Sequence, residues 1–573
     1  MGVSKYIRVI FVSLFLCIMA APVYAVDFAA HGYYRMRSES MWDLDAQKKN
    51  TGIAHDNNRF GLIAFNQMRL RVEPMLKVND NISIHTQFDV LDNIVFGSQD
   101  TKQLEILSPV VGTVTLPAGP GSLSMVGGAA GENGSINVRR AWMDILFPIG
   151  KLRLGRQPSH WGLGIFQNDG QERQGDFGDS SDRIMFITQY EIGDGSGSLS
   201  GGLLWDIAWE AQSDPRIGGL AGAIRDNGQD THQYAAVLLY ERDDFSAGVF
   251  GGIRRRDAGS GSTTTATDAL GNTCGIGSTL CSAGLDGKTL VYFGDVYGRY
   301  TYEEYDFKAE YVFIGGTMST GAAINAIPFS VYAGGAAGDG IINLPAKQDV
   351  QVSMGALEAS GAYKWGGEWN FKGGFAQGDA SPLSQRITQY GFRPDYNIAL
   401  LMFNVPLGTS PQLWGCSATN GAGCASTSQL AGGVPITGNF INNAYYVSTG
   451  YQHHLDIGDY IKKCNDFSVG GRVTTAYAHK NPLDLNFQAI MNDASLPVLR
   501  NGGKWYGVEA DLLVEAEFYD HLYGVLEGGV LMPGSAYDTK TTTLVNPGGI
   551  IETIPADKAN WSYGGRLTMM VEF

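Results

Sequence analysis

Apolar and polar side chains alternate at every second position along much of this chain. The C-terminal segment shows the pattern most clearly, with an apolar face and a largely polar face: Leu567, Met569, Val571 and Phe573 against Arg566, Thr568, Met570 and Glu572. Successive side chains of a β-strand point to opposite faces, so a period of two predicts an extended strand between two different environments.

The same alternation, bounded by turn-forming residues, predicts eighteen strands. They span residues 31–40, 61–77, 82–92, 138–147, 151–157, 183–191, 199–210, 232–242, 245–256, 288–303, 306–316, 351–364, 367–377, 441–456, 467–479, 504–518, 521–532 and 561–573. A further strand around Ile398 to Val405, inside the longest connection, is an alternative.

The connections between the predicted strands alternate between eight short turns and nine long segments. An even number of strands brings both ends of the chain to one side of the membrane. The apolar strand faces are also long enough to cross a bilayer, which takes roughly 9–11 residues per strand. The sequence therefore predicts an all-β, antiparallel, up-and-down transmembrane barrel. A soluble sandwich or propeller would alternate too, but no repeat of roughly 40–50 residues recurs.

The N-terminal residues 1–25 have the features of a cleaved export signal. Lys5 and Arg8 precede an apolar stretch, and Val23-Tyr24-Ala25 forms a small-residue cleavage pattern. An uncleaved anchor helix is the alternative, but the stretch is shorter than the roughly 20 apolar residues that span a bilayer. We expect residues 26–573 to form one barrel domain.

Charge and cysteine content narrow the class of protein further. The formal net charge of −16 disfavours nucleic acid as a partner, because nothing would neutralise its phosphates. In an oxidising compartment, the local pairs Cys274 with Cys281 and Cys416 with Cys424 predict two loop disulfides, whereas zinc is disfavoured because no His lies at ligand spacing. Cys464 remains as an unpaired turn thiol.

Charged residues on the polar strand faces are candidate pore-lining residues, because a charge facing lipid is costly. Early strands supply mainly basic ones and the strand at 504–518 only acidic ones: Arg35, Arg37, Arg69, Arg71, Arg140, Asp144, Arg153, Glu509, Asp511, Glu515 and Glu517. Such a segregated wall would impose a transverse field on a permeating solute. In the alternative reading, these charges only solvate one another in a wide pore.

Two further groups of polar residues suggest other chemistry. Asp176, Asp179 and Asp182 form a candidate for a structural calcium site, against the alternative of a solvated acidic loop. His453 and His454 with Asp456 are the best candidates for catalysis, but no nucleophile is placed beside them, and we expect no enzyme and no cofactor.

Several motifs resemble those of a known class. The hairpin at 66–92, the segment Leu152-Arg153-Leu154-Gly155-Arg156-Gln157, the following Trp161-Gly162-Leu163-Gly164 and the terminal Phe573 resemble bacterial outer-membrane porins, most closely the eighteen-stranded alginate-export and substrate-selective families. The resemblance implies a Gram-negative outer membrane, with lipid and lipopolysaccharide around the barrel and assembly machinery that reads the last strand. It also implies inward arginines, which here correspond at most to Arg69, Arg71, Arg140, Arg153 and Arg156, and only where the alternation of the strand aims them inward.

A closed sheet of eighteen strands is too wide for its own side chains to fill. We therefore expect passive diffusion of small hydrophilic solutes, or of a carbohydrate or anionic substrate, through a monomer or trimer. Segment 158–182, with Trp161, Phe166 and several glycines, is expected to fold inward as a constriction, and segment 378–440 to act as a gate or lid. The alternative function is an adhesin or structural surface protein whose loops occlude the lumen.

Overall fold

The computed structural model describes most of the barrel and part of its connections. The described residues are 27–44, 46, 61–95, 136–193, 195–209, 231–256, 266–267, 273–274, 288–319, 324–329, 340–344, 347–379, 386–408, 436–458, 461, 463–482, 503–538, 542–545, 551–554 and 558–573. Within these ranges, no helix is long and apolar enough to cross a bilayer. The predicted export signal lies outside the described residues.

Eighteen long strands form the wall, as the alternation predicted. They are β1 (Asp27–Trp42), β2 (Leu62–Asn79), β3 (Ile82–Val95), β4 (Ile136–Phe147), β5 (Gly150–Pro158), β6 (Ser180–Glu191), β7 (Ser198–Trp209), β8 (Thr231–Arg242), β9 (Phe245–Arg256), β10 (Thr289–Tyr302), β11 (Tyr305–Ser319), β12 (Lys347–Tyr363), β13 (Gly367–Ala376), β14 (Ala444–His454), β15 (Cys464–Ala478), β16 (Trp505–Phe518), β17 (Leu522–Pro533) and β18 (Ser562–Glu572).

Each strand pairs antiparallel with the next, and the last strand closes the sheet on the first. In this closing pair Arg35 lies opposite Met570 and Tyr33 opposite Glu572, while the other edge of β1 pairs along its whole length with β2. Closure removes the two free edges that an open sheet would have, whose unpaired backbone groups a bilayer would not tolerate. The predicted all-β, eighteen-stranded antiparallel barrel is therefore confirmed.

The connections sort by length onto the two ends of the barrel. The short turns all lie at the end where the chain enters β1, here called the turn end, and the long segments lie at the opposite, loop end. The alternative strand around Ile398 to Val405 is wrong, because residues 398–405 form bends and turns. Two residues nearby, Arg386 and Ile387, pair in parallel with Asp349 and Val350 of β12.

The strand faces divide between an apolar exterior and a polar interior. On β18, Leu567, Met569 and Val571 are 42–48% exposed, whereas Thr568 and Met570 are 2% exposed and face inward. Aromatic rings extend the outer surface near both ends, with Trp365 stacked on Tyr363 at the turn end. This apolar outer face suits lipid contact, and the polar inner face suits water and loops.

Candidate functional site: two segments inside the barrel

Residues 159–179, which connect β5 to β6 and are called here the first inward segment, lie inside the barrel against the basic strands. The Asp176 carboxylate contacts Arg35 and accepts a hydrogen bond from Arg37 Nη1 at 2.6 Å. Arg69 donates to the backbone carbonyls of Gly175 and Asp176 at 3.0 and 3.1 Å. Arginines that the sequence assigned to the pore wall therefore bind this segment.

The next basic strand holds the end of the same segment. Arg140 of β4 donates to the carbonyls of Asp169 and Asp179 at 2.5 and 3.1 Å. Gly170 and Gly178 both have a positive φ, and a Cβ on Gly170 would lie 2.7 Å from the Gly178 Cα, so only glycine permits this close backbone approach.

The beginning of the first inward segment packs on the opposite side of the lumen. Trp161 contacts Phe250 of β9 with ring centroids 5.8 Å apart, and Phe166 contacts Phe293 of β10 at 5.2 Å. The Leu163 N–H also donates to the carboxylate of Glu310 on β11. The segment thus extends across the barrel from β9–β11 to β1–β4 and narrows the lumen.

Residues 386–408, called here the second inward segment, pack against the strands that follow. The Glu509 carboxylate of β16 accepts hydrogen bonds from the backbone N–H groups of Leu401 and Met402 at 2.6 and 2.7 Å. The apolar side chains of this stretch are almost completely buried inside the barrel: Ile398, Leu400, Leu401, Met402, Phe403, Val405 and Leu407. Glu509 therefore anchors an apolar segment in the lumen.

The two inward segments are bound to each other. The Asp395 carboxylate accepts hydrogen bonds from the backbone N–H groups of Asp176 and Gly178, both at 2.7 Å. Arg393 contacts the Asp179 carboxylate, and its backbone N–H donates to the Ile165 carbonyl at 3.0 Å. Sequence analysis missed Asp395 and Arg393, because no local pattern reports a contact between positions more than 200 residues apart.

Most of the predicted pore-lining residues face inward, but their charges are paired locally. Arg71 binds Asp89 through two hydrogen bonds of 2.7 and 2.8 Å, and Arg153 binds Asp144 through two of 2.6 and 2.8 Å. Of the remaining arginines, Arg35, Arg37 and Arg69 surround Asp176, Arg69 also pairs with Asp92 at 2.7 Å, and Arg140 donates to loop carbonyls. At these positions basic and acidic side chains lie side by side, and the wall does not separate into one basic and one acidic side.

Acidic side chains of β16 also contact basic side chains or hydrogen-bond donors. Asp511 accepts from Arg472 of β15 at 2.8 Å and from the Leu400 N–H at 3.2 Å. Glu515 accepts from Gln452 at 2.6 Å, and Glu517 is half-buried near the turn end. Arg156, which the resemblance included only if the alternation aims it inward, lies on the outer face, where Asp182 binds it through two hydrogen bonds of 2.7 Å.

The three carboxylates suggested for calcium do not converge on a common point. Asp176 faces Arg35 and Arg37, Asp179 faces Arg393, and Asp182 faces Arg156 on the outer surface. Among the described residues, no group of three metal-ligating side chains is arranged to hold an ion. This placement does not fit the predicted calcium site.

Of the cysteines and histidines singled out by the sequence, Cys464, His453 and His454 lie near the turn end. Both predicted disulfides, Cys274 with Cys281 and Cys416 with Cys424, depend on side chains outside the described residues, and Cys464 at the start of β15 is a free, half-buried thiol. His454 Nδ1 lies 2.9 Å from Asp466, and the His453 ring centroid lies 5.4 Å from that of Trp365 at the turn end.

Burial and nearby charges set the ionisation of the first inward segment. Burial would raise the pKa of Asp176, but Arg37 and Arg35 hold that pKa far below its usual range. The hydrogen bond from His160 to Asp169 raises the pKa of His160, although burial opposes it. Burial raises the pKa of Glu172 despite Lys372 nearby. The segment is thus bound to the wall through an Asp176 carboxylate that stays ionised.

A closed antiparallel sheet of eighteen strands, apolar outside and polar inside, defines a transmembrane β-barrel of the bacterial outer membrane. No protein-family model and no curated protein matches the sequence.

Solved structures align over nearly the whole chain. OccK8 (OprE) of Pseudomonas aeruginosa has 8% identity and a TM-score of 0.41, covering 96% of this chain and 98% of its own. The outer membrane channel DcaP of Acinetobacter baumannii has 10% identity and a TM-score of 0.35, covering 96% and 97%. An anion-selective porin from Comamonas acidovorans has 9% identity and a TM-score of 0.34, covering 96% and 100%. These similarities do not identify the solute that this protein would transport.

Proposed function

We propose that this protein is a channel through which small hydrophilic solutes diffuse passively across the outer membrane. The observation that carries the proposal is that charged side chains on the inner wall remain accessible to solvent. Lys372 of β13 is 34% exposed and Arg472 of β15 is 30% exposed, both on the lumen side. Ionised groups stay exposed only where water solvates them, so the lumen holds water beside these strands.

The two inward segments determine the size of solute that passes. They leave charges of both signs accessible on strands β12 to β15, namely Lys372 with its partner Glu358, and Arg472. Alternating charges of this kind favour small polar solutes and exclude bulky apolar ones. We assign the short turns to the periplasmic side and the long segments to the exterior, as in single-chain bacterial barrels.

The proposal is tested by recording the purified full-length protein in planar lipid bilayers. We expect discrete single-channel current steps, and vesicles containing the protein should swell in small neutral sugars faster than in a tetrasaccharide. If no steps appear and no sugar enters, the two inward segments seal the barrel and the channel function is wrong.

One observation favours the second candidate, a surface protein with an occluded lumen. The apolar residues of the second inward segment, including Leu401 and Met402 at 0% exposure, pack as tightly as a protein core. A firmly packed lumen would serve an adhesin or structural protein as well as a narrow channel. The same bilayer recording separates the two functions, because only the channel conducts.

A further inference from the structure

A row of four polar side chains crosses the inner wall from β6 to β9. Arg183 donates two hydrogen bonds to Asp206, at 2.6 and 2.9 Å. The Gln233 amide donates to the same carboxylate at 2.8 Å, and its oxygen accepts from Arg254 Nε and Nη2 at 3.1 and 2.7 Å. The row therefore fixes the orientation of the Arg254 guanidinium.

The charges along this row do not cancel. Arg183 pairs with Asp206, and Gln233 is uncharged, so the row holds no counter-charge for Arg254. Other inner-wall arginines, such as Arg71 and Arg153, face a carboxylate. In the part of the chain that the structure describes, no carboxylate lies within ion-pair distance of Arg254, and its side chain is exposed.

The hydrogen bonds to Gln233 leave part of the guanidinium available. Gln233 occupies Nε and one Nη2 hydrogen, so the Nη1 and remaining Nη2 hydrogens form an end-on fork. A planar fork of two parallel N–H donors matches the two oxygens of a carboxylate. Because the geometry is held by the row, little side-chain entropy is lost when an anion binds.

Aromatic side chains lie along the same face of the wall as this fork. Phe293 of β10 lies two positions along its strand from Val291, the residue opposite Arg254. The Phe166 ring contacts Phe293, and the Tyr390 ring of the second inward segment lies 6.3 Å from Phe166. An organic anion at Arg254 would therefore lie near apolar ring surface.

We propose that Arg254, held by Gln233, binds the carboxylate group of a small organic solute before it passes the constriction. Arg254 lies on the loop-end side of Phe250, the residue that contacts Trp161 of the first inward segment. A solute that comes from the loop end reaches Arg254 first. This inference rests on the proposed channel function and adds a solute class to it.

The test compares the wild type with Arg254→Gln in vesicles and bilayers, with sodium benzoate as the carboxylate and glucose as the neutral solute. We expect the substitution to lower benzoate uptake about threefold to fivefold, as expected for a solvated ion pair, and to leave glucose uptake unchanged. Anion selectivity in a KCl gradient should fall as well, and this effect should weaken at high salt.

Two further variants separate a site from a general effect of charge or folding. Arg156→Gln removes the same charge from the outer face and should leave benzoate uptake unchanged, while Arg254→Lys keeps the charge but loses the fork and should bind benzoate less well than the wild type. Heat-modifiable migration in gels verifies that each barrel is folded. If the wild type admits glucose but Arg254→Gln does not alter benzoate uptake, the anion site is wrong; if the wild type admits neither solute, the channel itself is wrong.

Discussion

The Asp395 carboxylate accepts a hydrogen bond of 2.7 Å from the backbone N–H of Asp176, although the two residues belong to different connections. The Asp176 side chain in turn binds Arg37 on β1. A chain of contacts therefore runs from the wall through the first inward segment to the second. Neither segment can leave the lumen without breaking charge-assisted hydrogen bonds, which are the stronger kind.

We expect Asp395→Asn to loosen this connection. The amide keeps one acceptor oxygen but places an NH2 group against a backbone N–H, so at least one hydrogen bond is lost, at a cost of about 1–3 kcal/mol. Single-channel recordings should show larger current fluctuations than the wild type. Asp456→Asn is the control, because the exposed Asp456 carboxylate also accepts a hydrogen bond from a backbone N–H but lies at the turn end. We expect this variant to show the same current fluctuations as the wild type. Equal fluctuations in all three proteins would contradict a connection through Asp395.

Glu509→Gln tests the anchor of the second inward segment. The Glu509 carboxylate is buried and binds two backbone N–H groups, so an amide leaves one N–H facing an NH2 group inside the barrel. We expect the free energy of unfolding to fall by about 2–3 kcal/mol and mean conductance to rise as residues 398–405 leave the lumen. Urea titration in lipid vesicles and bilayer recording measure the two effects.

Glu517→Gln is the matched control for that substitution. It makes the same chemical change on the same strand, at a half-buried position near the turn end. We expect conductance and stability close to the wild type. Should Glu517→Gln raise the conductance as much as Glu509→Gln, the effect would reflect charge in the lumen rather than release of the segment.

The alternation of the sequence was sufficient to predict the wall and the face of most side chains. The alternation alone places the Arg35 side chain inside the barrel and the Leu567 side chain outside, because each strand has only two faces. The alternation could not predict which segments fill the lumen. Residues 398–405 are mostly apolar without alternating, and they contact Glu509, which lies about a hundred positions away in the sequence. The sequence also left open whether the charges pair with one another, because Asp176 reaches Arg37 only once the first inward segment has folded.

The contact between His160 and Asp169 should make the first inward segment sensitive to pH. His160 Nδ1 lies 3.5 Å from Asp169 Oδ1, and this contact raises the pKa of His160. A raised pKa means that the stabilisation is complete below the ordinary value of about 6.5 and is lost as pH rises through the raised value. We expect current fluctuations to increase from pH 6 to pH 9, and His160→Gln to remove that dependence. If the pH response survives in His160→Gln, another group causes it.

Two arginine–aspartate pairs of nearly equal geometry should contribute very differently to stability. Arg71 and Asp89 are buried in the inner wall with hydrogen bonds of 2.7 and 2.8 Å, whereas Arg156 and Asp182 are about half exposed on the outer face with two of 2.7 Å. Removing one partner of a buried pair leaves an uncompensated charge, at a cost of about 3–5 kcal/mol. An exposed pair is worth about 0–1 kcal/mol.

Double-mutant cycles measure this difference directly. The substitutions Arg71→Met and Asp89→Asn, alone and combined, give the coupling energy of the buried pair, and Arg156→Met with Asp182→Asn give that of the exposed pair. Urea unfolding in lipid vesicles should show the larger coupling for Arg71 with Asp89, because water screens the exposed pair. Equal coupling energies in the two cycles would mean that water reaches Arg71 and Asp89 freely, and that the inward segments do not shield this part of the wall.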